Sequence, residues 1–117
     1  MASQLPSVLN LCRTRGDTFP FTISIEVDEL PLDITGFTIV LTVDTLEDPP
    51  NSATQVFQAS GVVTNGPLGQ VTFSLTTPQA ATTPGDYFYD MQYTDLSSKI
   101  RTFAKGTWTV IQDITKT

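Results

Sequence analysis

The chain has 117 residues, of which 39% are hydrophobic, so it can form one domain with one core without the help of a metal or a disulfide. Its formal net charge is −6 and its six Lys and Arg residues are dispersed along the chain, which argues against direct nucleic-acid binding. It contains neither a signal-peptide pattern nor the roughly twenty consecutive apolar residues that cross a bilayer, so we expect no secretion and no membrane partner.

Histidine is absent from the sequence. This removes the commonest general base, the commonest transition-metal ligand and every nucleophile that depends on a Ser-His or Cys-His pair. The remaining Asp, Glu, Ser and Lys residues show no nucleophile and base at a spacing that a known mechanism requires. We therefore predict a protein that is not an enzyme and that has no catalytic residue, no cofactor and no metal site.

The first eight residues show no usable hydrophobic period and contain Pro6, so we predict an extended N-terminal arm over residues 1–8. A single β-sandwich domain is predicted over residues 9–117. Its first strand is expected around residues 9–15. Cys12 lies in an apolar part of that strand, so we expect a buried structural thiol.

Two segments then alternate apolar and polar side chains with the period of a half-buried strand. They cover residues 18–27 and 37–45. A proline-bearing connection joins them, and we expect the two strands to be antiparallel.

The middle of the chain predicts a hairpin followed by a short helix. Residues 55–64 are expected to form one strand broken by a bulge at residues 60–61, and the turn 65–69 leads into a strand over residues 70–75. Residues 77–81 begin with threonine and proline, which predicts one helical turn that crosses between two sheets.

The last two strands are predicted over residues 86–94 and 100–113, the second with a bulge at Gly106. Tyr87 follows a Pro-Gly corner and is similar to the corner tyrosine of immunoglobulin-like sandwiches. The fold class is therefore predicted to be all-β, an immunoglobulin-like β-sandwich of about seven antiparallel strands with an extended N-terminal arm. Its expected core consists of Phe21, Ile23, Ile25, Ile39, Leu41, Val71, Phe73, Tyr89, Met91 and Trp108.

Four short motifs carry a resemblance to a known family: Arg-Gly-Asp-Thr-Phe-Pro at 15–20, Leu-Asp-Ile-Thr-Gly at 32–36, Pro-Gly-Asp-Tyr-Phe-Tyr-Asp at 84–90 and Lys-Gly-Thr-Trp-Thr-Val at 105–110. Together they resemble the immunoglobulin-like domain at the N-terminus of the baseplate upper protein of tailed bacteriophages. The resemblance spans about residues 9–113. It implies a non-catalytic β-sandwich that is synthesised in the host cytoplasm and built into a virion.

We consider three functions, of which the first two follow from that resemblance and the first is favoured. The first is an accessory capsid cement or decoration protein that binds other virion subunits, and the second is an adaptor of the tail or baseplate. The third is a module that binds carbohydrate or another part of the host surface. The expected partners are the major capsid protein or tail and baseplate subunits, and further copies of the chain in a homo-oligomer.

The expected partner-binding residues come from the arm and from the tyrosine face. An arm of about ten residues spans roughly 33 Å and can add main-chain hydrogen bonds at a neighbour's sheet edge. Large amphipathic tyrosine rings suit either a sandwich core or a subunit interface. The predicted set is Leu5, Pro6, Val8, Leu9, Tyr87 and Tyr93.

Two other patterns favour structural explanations. Arg15-Gly16-Asp17 has the composition of a turn, so a cell-adhesion function is not expected. Acidic residues gather at 26–33 and 44–48, but they lack the spacing of a calcium loop and are expected to be solvated strand ends.

Overall fold

The computed structural model describes residues 7–114. Within that range the chain forms eleven strands, one short α-helix and one 3-10 helix at Ser52–Thr54. The strands and the helix, in chain order, are β1 Ser7–Val8, β2 Leu11–Thr14, β3 Phe21–Ser24, β4 Glu26–Val27, β5 Leu30–Pro31, β6 Thr38–Asp44, β7 Gln55–Ser60, β8 Val62–Asn65, β9 Gln70–Phe73, α1 Thr77–Ala80, β10 Gly85–Thr94 and β11 Ile100–Ile111.

The strands form two packed sheets, so the all-β sandwich fold is confirmed. The large sheet has the strand order β1-β11-β10-β6-β7, and β2 also pairs with β11. The small sheet has the order β3-β9-β8, and β4 and β5 form a separate two-residue hairpin. The pairs among β6, β7, β10 and β11 are antiparallel, whereas β1 and β2 run parallel to β11.

The core fills the space between the two sheets because successive side chains of each strand alternate between an inner and an outer face. Most residues of the predicted core are buried, while Phe21 and Ile23 are half-buried and pack against it. The predicted core set omitted several buried residues, among them Ile34, Val43 and Phe57. Trp108 lies at the centre, with ring contacts to Phe21, Phe57 and Tyr89.

Two predicted strand relationships are wrong. The strands predicted over 18–27 and 37–45 are not antiparallel partners, because β3 pairs with β9 in the small sheet and β6 lies in the large sheet. Residues 55–64 are not one bulged strand, because β7 and β8 lie in different sheets. Gly61 lies at the crossing, where an added Cβ would come within 2.5 Å of the Val71 side chain.

The predicted hairpin at 65–69 and the predicted helical crossing are confirmed. β8 and β9 are antiparallel across that turn, and α1 connects β9 of the small sheet to β10 of the large sheet. Thr76 and Gln79 form a reciprocal capping box at the start of α1. The Gln79 side chain also donates to the Gln58 carbonyl at 2.8 Å, which occupies part of the exposed edge of β7.

The N-terminal segment differs from the predicted arm at residues 7 and 8. Ser7 and Val8 pair with Ala104 and Lys105 of the same chain, so this part of the segment lies on its own sheet. The remainder of the predicted arm lies outside the described residues. Cys12 is exposed, contrary to the prediction, because its side chain points to the outer face of an edge strand.

Gly106 is not a bulge in β11. The irregularity of the β10 and β11 pair falls at Phe103, since Met91 pairs with Ala104 and Gln92 pairs with Thr102. Gly106 instead lies beside the break between β1 and β2, where an added Cβ would clash with the Leu9 carbonyl oxygen. This close approach explains why a glycine stands at a position where the strand itself is regular.

The Arg15-Gly16-Asp17 segment forms the predicted turn. Gly16 has a φ of 86°, and the Asp17 N–H donates to the Thr14 carbonyl at 3.0 Å. The Arg13 guanidinium links this turn to the start of β3, since it donates to the Phe19 carbonyl and lies over the Phe21 ring. None of the helices in the described part of the chain has the length and apolar character of a membrane span.

Candidate functional site

A groove runs across the outer face of the large sheet and has a cavity volume of about 400 Å³. Its floor follows the register of four neighbouring strands, because Val8 pairs with Lys105, Lys105 with Asp90, and Asp90 with Thr42. These residues share the outer face, since Tyr89, Met91 and Ala104 beside them in sequence are buried in the core.

The second row of the floor is formed by Phe88 and Asp44, which are also register partners. Phe88 is half-buried, so its ring offers apolar surface to the groove. Asp44 is only 6% exposed and ends β6.

The connection after β6 forms the wall of the groove through Leu46, Glu47 and Pro49. Asp44 fixes this wall, because its Oδ1 accepts hydrogen bonds from the Leu46 N–H at 3.0 Å and from the Thr54 hydroxyl at 2.6 Å. One carboxylate thus ties the start of the connection to its end.

The pKa values of the two floor carboxyl groups, Asp44 and Asp90, are shifted in opposite directions. The Thr54 hydroxyl that donates to Asp44 is the main cause of a lowered pKa of that carboxyl; burial opposes it, and backbone N–H donors add smaller lowering effects. Burial raises the pKa of Asp90. The Asp90 side chain is half-buried and has no hydrogen-bond partner among residues 7–114, so no protein group in that range offsets the cost of its partial burial.

Lys105 is the one basic side chain that lines the groove among the described residues. It is exposed and stands directly opposite Asp90 in the register, yet no salt bridge joins the two side chains. The groove therefore combines apolar surface, an excess of carboxyl groups and one ammonium group.

The residues predicted to bind partners do not come together in one site. Val8 is 69% exposed and lines the groove, and Leu9 is 41% exposed at its own sheet edge. Tyr87 is half-buried and donates to the Thr83 carbonyl at 2.7 Å, as a corner tyrosine does. Tyr93 is buried between the Phe37 and Phe103 rings, which leaves it no surface for a partner. Leu5 and Pro6 lie outside the described residues.

Sequence reasoning missed the groove, although one signal was present. The alternation of β10 assigns Phe88 and Asp90 to the face opposite the tyrosines, and an aromatic ring beside a carboxylate on a strand's outer face is an unusual solvated surface. The wall could not be found in this way, because it depends on the hydrogen bond between Asp44 and Thr54, ten residues apart.

The acidic segments do not form a metal centre. Between residues 7 and 114, no three Cys, Asp or Glu side chains are placed to hold a metal ion. Asp33, from the first segment, accepts from the Thr35 hydroxyl and N–H, which lowers the pKa of its carboxyl. Asp33 therefore acts as a residue that stabilises a turn.

Comparison with known proteins finds solved structures that resemble this chain. The sequence matches no protein-family model and no curated protein. The crystal structure of CopC from Methylosinus trichosporium OB3b matches with a TM-score of 0.52 and 9% sequence identity, covering 92% of this chain and 89% of that chain. An uncharacterized protein from Bacillus anthracis strain Ames matches with a TM-score of 0.45 and 15% identity, covering 92% and 85% of the two chains. The likeness to CopC shows a shared fold.

The likeness to CopC overturns the expected function. The fold matches CopC, and nothing in the comparisons points to a phage virion protein. The interpretation as a capsid decoration protein, a tail adaptor or a host-surface module is therefore wrong. Two of the four motifs that suggested it lie at turns, where Gly16 and Gly36 have φ values of 86° and 81° that turn chemistry demands, and the other two lie in β10 and β11.

Proposed function

We propose that the chain is a non-catalytic binding domain whose outer-face groove takes a small organic cation. The observation that carries the proposal is the Asp90 carboxyl, which is half-buried in the groove and has no hydrogen-bond partner among residues 7–114. An ammonium group supplies both the hydrogen-bond donors and the opposite charge that this carboxyl lacks.

The rest of the lining supports a ligand of that class. Asp44, Glu47 and Asp90 face one Lys105, so the groove favours positive charge. Phe88, Leu46 and Pro49 add apolar surface, and an aromatic ring attracts a cation held over its face. The cavity of about 400 Å³ falls in the size range of ligand pockets.

Binding without catalysis is supported by the state of the two floor carboxyl groups. Proton transfer by a carboxyl pair needs both groups free to reach the reacting atoms. Asp44 is instead held by Thr54 and by the Leu46 N–H, where it fixes the groove wall. Asp90 is left without a second catalytic group, so its chemistry is that of an anionic binding group.

The test is a titration of ¹⁵N-labelled protein with n-butylamine at neutral pH, followed by amide chemical shifts, with n-butanol as the neutral probe. We expect shifts at residues 44–49, 88–90 and 105–106, and weaker binding of butanol. Asp90→Asn should lower the affinity for butylamine about tenfold, the effect of losing one charged hydrogen bond.

Asp86→Asn is the matched control. It removes the same charge from the same face of β10, but Asp86 lies outside the groove, where it accepts from the Thr109 hydroxyl at 2.9 Å. We expect it to leave the affinity within about twofold, since an exposed charge outside the site adds little. Equal binding of butanol and butylamine, or unchanged affinity in Asp90→Asn, would overturn the proposal.

A further inference from the structure

One row of outward side chains crosses the large sheet and contains two of the charged side chains of the groove floor, Lys105 and Asp90. Its members are in direct register across five strands: Val8, Lys105, Asp90, Thr42 and Gln58. The Gln58 amide donates to the Thr42 hydroxyl at 3.1 Å, so one end of the row is internally satisfied.

The charged middle of the row is not satisfied. The side chains of Lys105 and Asp90 have no hydrogen-bond or ion-pair partner among residues 7–114. Facing positions on adjacent antiparallel strands place their Cβ atoms about 5 Å apart, close enough for a cross-strand ion pair. Asp90 can therefore bind a positive group of a ligand and Lys105 a negative one, and the groove lies above both side chains.

We infer that the ligand of the groove is a zwitterion that places its ammonium group at Asp90 and an anionic group at Lys105. This inference rests on the proposed function and names its ligand class more closely. A ligand with only a positive charge would leave Lys105 facing it as a like charge, which costs affinity. A carboxylate on the same ligand turns that repulsion into a charged hydrogen bond.

The spacing of the two positions selects the kind of zwitterion. The Cβ atoms of Asp90 and Lys105 lie roughly 5 Å apart, and the flexible Lys105 side chain can place its ammonium group at that distance or farther from the Asp90 carboxylate. An amino acid whose ammonium and carboxylate ends are separated by a short alkyl chain fits that spacing. The alkyl chain would lie over the row, beside Val8 and the Phe88 ring.

The experiment compares 4-aminobutyrate with n-butylamine and butyrate by the same amide-shift titration. We expect 4-aminobutyrate to bind about tenfold more tightly than butylamine, because it gains one charged hydrogen bond, and butyrate to bind weakest. Lys105→Met should abolish the advantage of 4-aminobutyrate and leave butylamine binding equal or tighter. Lys99→Met, which removes a charge from the exposed β10–β11 turn, should preserve the advantage.

The outcomes separate the two proposals. If butylamine binds in the groove through Asp90 but 4-aminobutyrate gains nothing, the zwitterion is excluded and the cation site stands. The same conclusion follows if Lys105→Met keeps the preference intact. If neither amine binds, the proposed cation-binding function is contradicted, and the zwitterion inference that rests on it falls as well. Unchanged thermal unfolding of Lys105→Met ensures that a lost preference reports on binding, since Lys105 is exposed.

Discussion

The Tyr89 hydroxyl donates a 2.8 Å hydrogen bond to the Leu9 carbonyl oxygen, across 80 residues of sequence. Tyr89 faces Gly106 in the register, and the missing side chain of Gly106 leaves the inner face of β11 open at that point. The tyrosine ring packs edge-on against Trp108 while its hydroxyl reaches the N-terminal segment. One side chain thereby ties the core to the junction between β1 and β2.

Tyr89→Phe should loosen the N-terminal segment. The change keeps the ring and removes one hydrogen bond, so we expect a loss of about 1 kcal/mol in the free energy of unfolding. Hydrogen exchange should accelerate at the amides of Leu9 and Leu11 more than at those of β6. Tyr87→Phe is the control, since its hydroxyl bonds only to the nearby Thr83 carbonyl. Equal protection of Leu9 in the wild type and Tyr89→Phe would contradict this prediction.

The same tyrosine should make stability fall at alkaline pH. Burial raises the pKa of Tyr89 from 10.0 to about 12. The unfolded chain therefore loses this proton first, so the stabilising contribution is complete below pH 10 and is lost as the pH rises toward 12. Urea unfolding at pH 9 to 12 should show a smaller decline in Tyr89→Phe than in the wild type. Parallel declines would rule out Tyr89 as the source.

Gly106→Ala should open the sheet edge at β1 and β2. The new Cβ would clash with the Leu9 carbonyl, and we expect about 1–3 kcal/mol of destabilisation, as for other overpacked sites. Gly85→Ala is a close control, because Gly85 has nearly the same φ, 156° against 159°, but its Cβ would meet only the Tyr87 ring at 3.8 Å. Equal destabilisation of the two variants, measured by urea unfolding, would assign the effect to φ and not to the clash.

Thr54→Val should lower stability at neutral pH and less so in acid. The Thr54 hydroxyl is the main cause of the lowered pKa of Asp44. A lowered pKa gives stability that is present above the ordinary value of 3.8 and is lost as the pH falls through the lower folded value. The difference between wild type and Thr54→Val should therefore shrink below pH 3.8.

Thr64→Val provides the comparison for that pH dependence. Its hydroxyl bonds to the Gln70 carbonyl and the Thr72 hydroxyl, so no carboxylate is involved. Its effect on unfolding should not depend on pH in the acidic range. A constant difference between Thr54→Val and the wild type from pH 7 to pH 3 would show that the Asp44 contact does not control the acidic behaviour.

Trp108→Ala should be the most damaging of these substitutions. Trp108 is 1% exposed and contacts three aromatic rings, so we expect a loss of about 3–5 kcal/mol from a total of roughly 5–15 kcal/mol. Leu96→Ala, at a residue that is 76% exposed, should change stability by about 0.5 kcal/mol or less. Far-UV circular dichroism during urea unfolding measures both, and similar midpoints would remove Trp108 from the centre of the core.

The local sequence pattern predicted which segments form strands better than it predicted which strands pair with each other. The alternation around Tyr89 and Met91 identifies both faces of β10, because the period of two is a property of the strand alone. Gly61 shows the limit of that reasoning. A glycine between two strand-like runs is typical of a bulge, but here the chain changes sheets, and only the packing against Val71 distinguishes the two cases.

The groove was beyond sequence reasoning for a similar reason. Phe88 and Asp90 could be assigned to one face from their spacing, and Lys105 faces Asp90 through the antiparallel β10–β11 pair, but Val8 joins them only through the parallel pairing of β1 with β11. No local signal announces a parallel partner about 97 residues away, since parallel strands need no connecting turn. Part of the groove floor could therefore be predicted from the sequence, and the rest depends on long-range strand pairing.

The parallel pairing of β1 and β2 with β11 also determines when the N-terminal strands can join the folded sheet. The Asn10 side chain accepts from the Thr107 N–H, 97 residues later in the chain, and Leu11 pairs with Trp108. At roughly 5–20 residues per second on the ribosome, residues 11–14 wait about 5–20 s before their partner strand exists. During synthesis this segment is an unpaired strand open to chaperones, and its docking closes a long loop that makes folding slow.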